Sequence, residues 1–504
     1  MTPWSQLRVL TSPANPAAVL ALAYSDTGIA DKQSPGIDRL LAAYEVSSFS
    51  AECGRWLDVI GDLQGPQRSL VLGVGTSRPG EPYRWIAVGG FLFDAMQALR
   101  LPSIQLPSAA SIGSEERLGQ IVLGALLHSF RPEHRRARPK ADFEPLTLVI
   151  DTNDAPLVER AQRVANVVNR ARAWVERPAN LLTPPVFAAE CQVLEQSGAR
   201  VRVLDANELE RLGAGGIIAV GRGAEHGPNL VVAEWRGNTT TDAWDAVLVG
   251  KGLTYDGGGL NLKTPPVIEK MKFDMAGAAA VLGAVELAAA RKAKCNVAAV
   301  VPLVENAIDA LAYRPGDVIT SLSGLTIEVI NTDAEGRIVV ADALTYGLTN
   351  YHPRFIVDVA TLTGAMTSIL HEEFAGCYAT DDLLADALRE AGEMTGERIW
   401  RLPLDPSQDY LVDSAVADVA NLGAGGFLGL GGRSPTAGAK FLQRFVGAAR
   451  WAHLDIAGTA MSSRRTSLSS KGATGFGVRL LDAWLSQLEP RAEPIQAQRR
   501  TDRG

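Results

Sequence analysis

The 504-residue chain is poor in the residues that build small stapled modules. It has four cysteines, Cys53, Cys191, Cys295 and Cys377, with no CxxC pair among them. That spacing excludes a cysteine-type zinc module, argues against a disulfide scaffold and fits a reducing compartment. Histidine is scarce too, at six residues with no HExxH pattern, so a histidine-built zinc site of that kind is absent. No apolar run reaches the roughly 18 residues that a membrane span needs. The richest stretch, Ala276–Ala290, is broken by Gly277, Gly283 and Glu286 and reads as a buried helix. The first twenty residues, MTPWSQLRVLTSPANPAAVL, lack the basic and apolar regions of a signal peptide. Positive charge is not in excess: 49 Lys and Arg stand against 56 Asp and Glu, a net −7. This balance argues against broad nucleic-acid binding. The expectation is a soluble, cytoplasmic protein with no membrane partner.

With 46% hydrophobic residues there is material for a large core, and the length allows two to four domains. Strands are expected at Ala18–Tyr24, Ser69–Val74 and Leu146–Ile150, and helices at Trp85–Leu99 and Glu115–Ser129. The basic run Arg131–Lys140 reads as a solvated loop, with a nucleic-acid or partner contact as its alternative. A long helix, about Leu157 to Val175, should end before Arg177-Pro178, because proline cannot continue the hydrogen-bond ladder. A second series follows, with strands at Val201–Leu204, Gly216–Val220, Leu230–Glu234, Ala246–Val249, Asn296–Pro302, Thr326–Ile330 and Phe355–Val359. Helices near Ala276–Lys292 and Ile338–Asn350 separate the later strands. Gly423–Gly432 reads as a loop, and the polar tail after Pro490 as disordered. The fold class expected is α/β in two domains, each a largely parallel or mixed sheet flanked by helices. Residues 1–165 form the first domain, 166–177 a helical linker, 178–490 the second domain and 491–504 a tail.

Polar residues collect at the ends of the second-domain strands, where open α/β sheets bind ligands. Strand Ala246–Val249 runs into Gly250-Lys251-Gly252-Leu253-Thr254-Tyr255-Asp256-Gly257-Gly258-Gly259. Lys263 and the Met271-Lys272-Phe273-Asp274 run follow, and strand Thr326–Ile330 empties into Asn331-Thr332-Asp333-Ala334-Glu335-Gly336-Arg337. A phosphate loop is excluded, because Gly252 stands where Ser or Thr is needed and Asp245 where the first Gly is needed. Taken alone, Asp333 or Glu335 could cap the following helix. Taken together, they lie two apart and would share one side of an extended backbone. Four carboxylates, Asp256, Asp274, Asp333 and Glu335, cannot all stay ionised without compensation. Two divalent cations would provide it, bound by oxygen ligands that suit magnesium, manganese or zinc.

These segments closely resemble the cytosolic leucyl aminopeptidase family (peptidase family M17), most specifically through the Asn331–Arg337 signature. Arg314–Asp317, Ala360–Ala365, Trp451–Gly458 and Gly472–Arg479 add to the likeness, which runs from about Pro178 to Leu481. The resemblance implies a C-terminal domain with a dinuclear metal site. Lys251, Asp256, Asp274 and Glu335 would hold one ion. Asp256, Asp333 (by side chain and carbonyl) and Glu335 would hold the second. The ions would be zinc or manganese, with magnesium or cobalt as alternatives. It further implies Lys263 as electrophilic stabiliser and Arg337 as the holder of a bicarbonate proton shuttle. Met271, Asn331, Thr361, Leu362 and Gly364 would contact substrate or bicarbonate. The expected activity removes N-terminal residues from short peptides with a free N-terminus, in a homohexamer built as a dimer of trimers. Departures at Tyr255, Gly257, Asn261, Ala276 and Asn306–Leu311 remove no ligand. A DNA-binding regulator on the same fold, a specialised dipeptidase and a catalytically silent subunit are the alternatives.

Overall fold

The computed structural model describes residues 7–10, 18–24, 28–29, 49–60, 68–75, 83–112, 114–133, 145–423, 434–466 and 468–490. Most of the basic run, the glycine-rich segment 424–432 and the tail 491–504 lie outside them.

Residues up to 150 build one sheet from β1 (Leu7–Leu10), β2 (Val19–Tyr24), β3 (Gly28–Ile29), β4 (Trp56–Ile60), β5 (Arg68–Gly73), β6 (Ser103–Gln105) and β7 (Leu146–Val149). Its order is β1-β7-β6-β2-β5-β4, with β3 beside β2. Only β3 and β4 run antiparallel to their neighbours. Helices α1 (Arg84–Ala98) and α2 (Glu115–His128) cross closely at two glycines. A Cβ on Gly89 would stand 2.0 Å from the Ile121 carbonyl oxygen, and one on Gly124 1.8 Å from that of Ile86. Helix α3 (Ala155–Glu176) then leads to the larger sheet. It ends as its sequence requires, at Arg177 in extended backbone before Pro178.

The larger sheet contains β8 (Arg200–Leu204), β9 (Asn229–Arg236), β10 (Ala246–Gly250), β11 (Gly252–Asp256) and β12 (Asn296–Asn306). A short separate sheet holds β13 (Val318–Thr320), β14 (Thr326–Glu328) and, later, β18 (Val419–Ala420). The larger sheet continues with β15 (Phe355–Ala360), β16 (Ala375–Ala379), β17 (Ile399–Arg401) and β19 (Trp451–Asp455). Its order is β17-β16-β19-β15-β10-β12-β9-β8, with β11 extending the β12 edge. Strands β12, β10, β15 and β19 are mutually parallel, whereas β8, β9 and β16 bring antiparallel pairs. The protein is therefore mixed α/β.

One expectation is corrected. Gly216–Val220 is not a strand but part of helix α4 (Gly215–Gly221). A short apolar run does not distinguish strand from buried helix. Here the decision is tertiary, since the Asp342 carboxylate accepts the N–H groups of Gly216 and Ile217 at 2.8 and 3.0 Å and so satisfies the helix start.

Helix α5 (Ala276–Ala290) is buried along almost its whole length, as a stripe of Ala and Gly allows. The helical stretch Ile268–Ala290 is apolar enough to cross a membrane, yet 89% of its most apolar window is buried inside the protein, so it is a core element. Small residues bring α5 onto the sheet: a Cβ on Gly277 would stand 2.1 Å from the Val359 carbonyl oxygen. Helix α6 (Gly336–Tyr351) covers the other face. The N-terminal ends of α5 and α6 therefore meet the carboxyl ends of β10 and β15.

Candidate metal centre

Lys251 occupies the one-residue break between β10 and β11. Its N–H donates to Val359 O at 3.0 Å and its carbonyl accepts from Ala278 N at 2.9 Å, locking the backbone between β15 and α5. The buried ammonium lies 2.8 Å from Asp274 Oδ2 and 3.1 Å from both Glu335 Oε1 and the Thr361 carbonyl. Asp274 ends the turn just before α5 and also accepts the Thr361 hydroxyl at 2.6 Å.

Asp256, at the end of β11, accepts from Gly258 N and Asn306 Nδ2, both at 2.9 Å. Its second oxygen lies 2.7 Å from Lys263 Nζ, which also pairs with Asp333. Gly258 and Gly259 have φ of +90° and +61°, a left-handed course that suits glycine. It carries the chain back over Thr332, whose hydroxyl donates to Gly258 O at 2.7 Å while its N–H donates to Asn261 Oδ1 at 2.8 Å. The glycine turn and the Asn331–Arg337 segment are thus fastened to each other.

Asp333 and Glu335 do not lie on extended backbone, which corrects the geometric argument from their spacing. The chain turns after β14, and Glu335 takes helical angles at the start of α6. It makes no capping hydrogen bond, so the capping alternative fails for it. Both side chains still reach one place: ligand oxygens of Asp256, Asp333 and Glu335 lie within 4.8 Å of one another.

The charges are unbalanced. Burial, with the charges of Glu335 and Asp274, pushes Asp256 up to about 8. Burial also lifts Asp274 to about 6 despite Lys251, and raises Asp333. Burial opposes ionisation of Glu335 as well, but Lys251 and Lys263 outweigh it and hold this carboxyl low. Four carboxylates face two ammoniums, and Glu335 Oε2 is buried without a hydrogen-bond partner among the described residues. A further cation would satisfy that oxygen and lower the repulsion, so the donor set fits hard divalent ions.

Other expected residues surround the cluster. Asn331 Oδ1 accepts Asp333 N at 2.7 Å. Arg337, in the first turn of α6, is buried and donates to Asn421 O at 2.9 Å. Burial lowers it to about 10, against the charges of Glu335 and Asp455. Leu362 and Gly364 follow Thr361 on the turn after β15, and Met271 stands half-buried three residues before Asp274. The Met271 carbonyl accepts the Asp274 N–H at 3.4 Å, whereas no hydrogen bond from Gly364 into the cluster occurs among the described residues.

Sequence reasoning missed Asn306, Tyr313 and Asn421. Asn306 and Tyr313 donate to Thr332 O at 3.0 and 2.6 Å. Asn421 accepts Ile330 N at 2.7 Å and donates to Asn331 O at 2.6 Å. Asn421 carries no local signal, because its partners lie some ninety positions away.

The model of the cytosol aminopeptidase family, catalytic domain, matches residues 169–482. The chain belongs to the cytosol aminopeptidase family. A probable cytosol aminopeptidase of Brucella melitensis is 42% identical over 459 residues, covering 89% of this chain and 93% of that protein. Among solved structures similar to this cytosol aminopeptidase family member is the bottromycin maturation enzyme BotP in complex with Mn. Its TM-score is 0.82 at 31% identity, over 94% of this chain and 99% of that one. A mutant of tomato leucine aminopeptidase matches with TM-score 0.81 at 30% identity, over 95% and 96%. As a member of the family the protein is a metal-dependent aminopeptidase, a metallo-exopeptidase acting on peptides.

Proposed function

We propose that the protein removes N-terminal residues from short peptides by a two-metal mechanism at the cluster just described. The observation that carries this reading is the meeting of Asp256, Asp333 and Glu335 oxygens within 4.8 Å, with Glu335 Oε2 buried and without a hydrogen-bond partner among the described residues. Lys251, Asp256, Asp274 and Glu335 would hold one cation, and Asp256, Asp333 and Glu335 the other. Zinc or manganese heads the candidates, with magnesium or cobalt next. When bound, such ions supply Lewis acidity to the scissile carbonyl and lower the pKa of water, and a bicarbonate supplies a proton carrier.

The chain's own residues do the rest. Lys263 brings an ammonium between Asp256 and Asp333, where it can stabilise negative charge growing on the scissile oxygen. Arg337 offers a guanidinium fork that matches a planar oxyanion such as bicarbonate. Asn331 orients Asp333 through its backbone N–H. The Thr361–Gly364 turn, with Leu362, and Met271 would line the space for the substrate side chain and the anion. A thioether at Met271 suits varied aliphatic side chains.

The reading extends to a cytoplasmic homohexamer, a dimer of trimers, with an N-terminal domain to residue 165, a linker over 166–177 and the catalytic domain over 178–490. Calorimetric titration of metal-stripped protein with manganese tests the site. Two equivalents per chain are expected, with Lys263→Met keeping both but losing kcat. A single equivalent, or full activity of Lys263→Met, would contradict it.

A further inference from the structure

The Trp451–Gly458 motif has no role in the mechanism above, yet β19 buries Trp451, His453 and Asp455 completely. Strand β15 sets Asp358 opposite His453 and Ala360 opposite Asp455. Asp358 Oδ1 is 2.6 Å from His453 Nδ1, and its Oδ2 accepts the Trp451 indole N–H at 2.7 Å. The imidazole is held nearly parallel to the rings of Tyr378 and Trp451. Burial works against a charged His453, but Asp358 and then Asp455 outweigh it and raise its proton affinity. Asp358 thus orients the buried imidazole and favours its protonated form, against the burial that opposes it.

Asp455 turns this support toward the site. It accepts the N–H groups of Leu362 and Ala457, each at 3.2 Å, and the hydroxyl of Thr363. The same turn is tied at its other end to the carboxylate cluster, through the bonds of Thr361 to Asp274 and Lys251. The charge of Asp455 also joins that of Glu335 in opposing the cost of burying Arg337.

We propose that Asp455 is a positioning residue of the aminopeptidase reaction that fixes the Thr361–Gly364 turn between the carboxylate cluster and Arg337. It acts through Thr361 on Asp274 and Lys251, and through its charge on Arg337. The inference rests on the roles proposed for that turn and for Arg337.

The test uses the manganese-loaded full chain and its best aminoacyl amide substrate, with variants Asp455→Asn and Thr363→Val. Asp455→Asn is expected to lower kcat by about 10–100-fold, the usual range for losing a group that orients ligands, with KM changed less than about threefold. Hydrogen exchange should accelerate at residues 361–364 while the rest of the sheet keeps its protection. A kcat within about twofold of wild type, or exchange accelerated equally throughout the sheet, would overturn the proposal. Should Asp455→Asn not fold, Thr363→Val, which removes a single hydroxyl, decides by the same criteria. Arg337→Met separates the two readings. Full activity there, with loss in Asp455→Asn, overturns the role of Arg337 and leaves the fixing of the turn supported.

Discussion

Lys251 and Gly336 are in contact across the site: a Cβ on residue 336 would stand 2.4 Å from Lys251 Cε. The first residue of α6 is therefore glycine because a buried lysine side chain fills the space a side chain would need.

Gly336→Ala should accordingly push Lys251 away from Asp274 and Glu335. Overpacking of this kind costs about 1–3 kcal/mol, readable as a lower urea midpoint. Manganese affinity should fall with it, because the side chain that moves is one of the proposed ligands.

Asp256→Asn should separate folding from binding. Burial and the neighbouring carboxylates push Asp256 up to about 8, so its ionised form is a burden on the metal-free protein at neutral pH. The amide keeps the shape without the charge. Thermal unfolding of the stripped variant should match or exceed that of wild type. Manganese affinity should drop by more than the roughly 10–100-fold that follows from losing only a hydrogen-bond partner of a ligand.

Arg172 should be a strong determinant of stability. It is buried and donates to the carbonyls of Leu127, Thr474 and Leu468 at 2.6, 2.8 and 3.1 Å, joining α2 and α3 to the C-terminal segment. Arg172→Met leaves those acceptors without partners, at about 1–3 kcal/mol for each one that stays dry. Chemical denaturation should record a loss of several kcal/mol, with the metal stoichiometry unchanged in the folded fraction.

Acid stability should depend on His128. Burial, then the charges of Arg131 and Arg172, lowers this imidazole to about 4 and outweighs Asp94, whose Oδ1 lies 2.9 Å from Nε2, the nitrogen that Arg465 Nε also meets at 2.9 Å. A folded value below the ordinary 6.5 means that the contribution is present above pH 6.5 and is lost as pH falls through 4. Its size is roughly 2–3 kcal/mol. In His128→Phe, stability measured at pH 6.5 and pH 4 should differ by that much less than in wild type.

Much of the site was legible because its proposed ligands lie in short segments near strand ends and helix starts. Lys251, Asp256, Asp274, Asp333 and Glu335 come from three such segments, and the structure brings them into one cluster. The helices at 84–98, 115–128 and 336–351 also lie close to where the sequence leads one to expect them. What escaped depended on distant partners. Residues 216–220 are helical because Asp342 meets their N–H groups. Asn421 serves the site only once β18 pairs with β14. Asp455 was visible within a motif, but its task is apparent only when β19 lies beside β15.

The most direct test of the account is hydrolysis of aminoacyl amides and dipeptides by metal-stripped protein, with zinc, manganese, cobalt or magnesium added back. The account predicts activity restored by metal, abolished in Asp333→Ala and blocked by N-acetylating the substrate. Hydrolysis that survives metal stripping, persists in Asp333→Ala or ignores the N-acetyl group would contradict it.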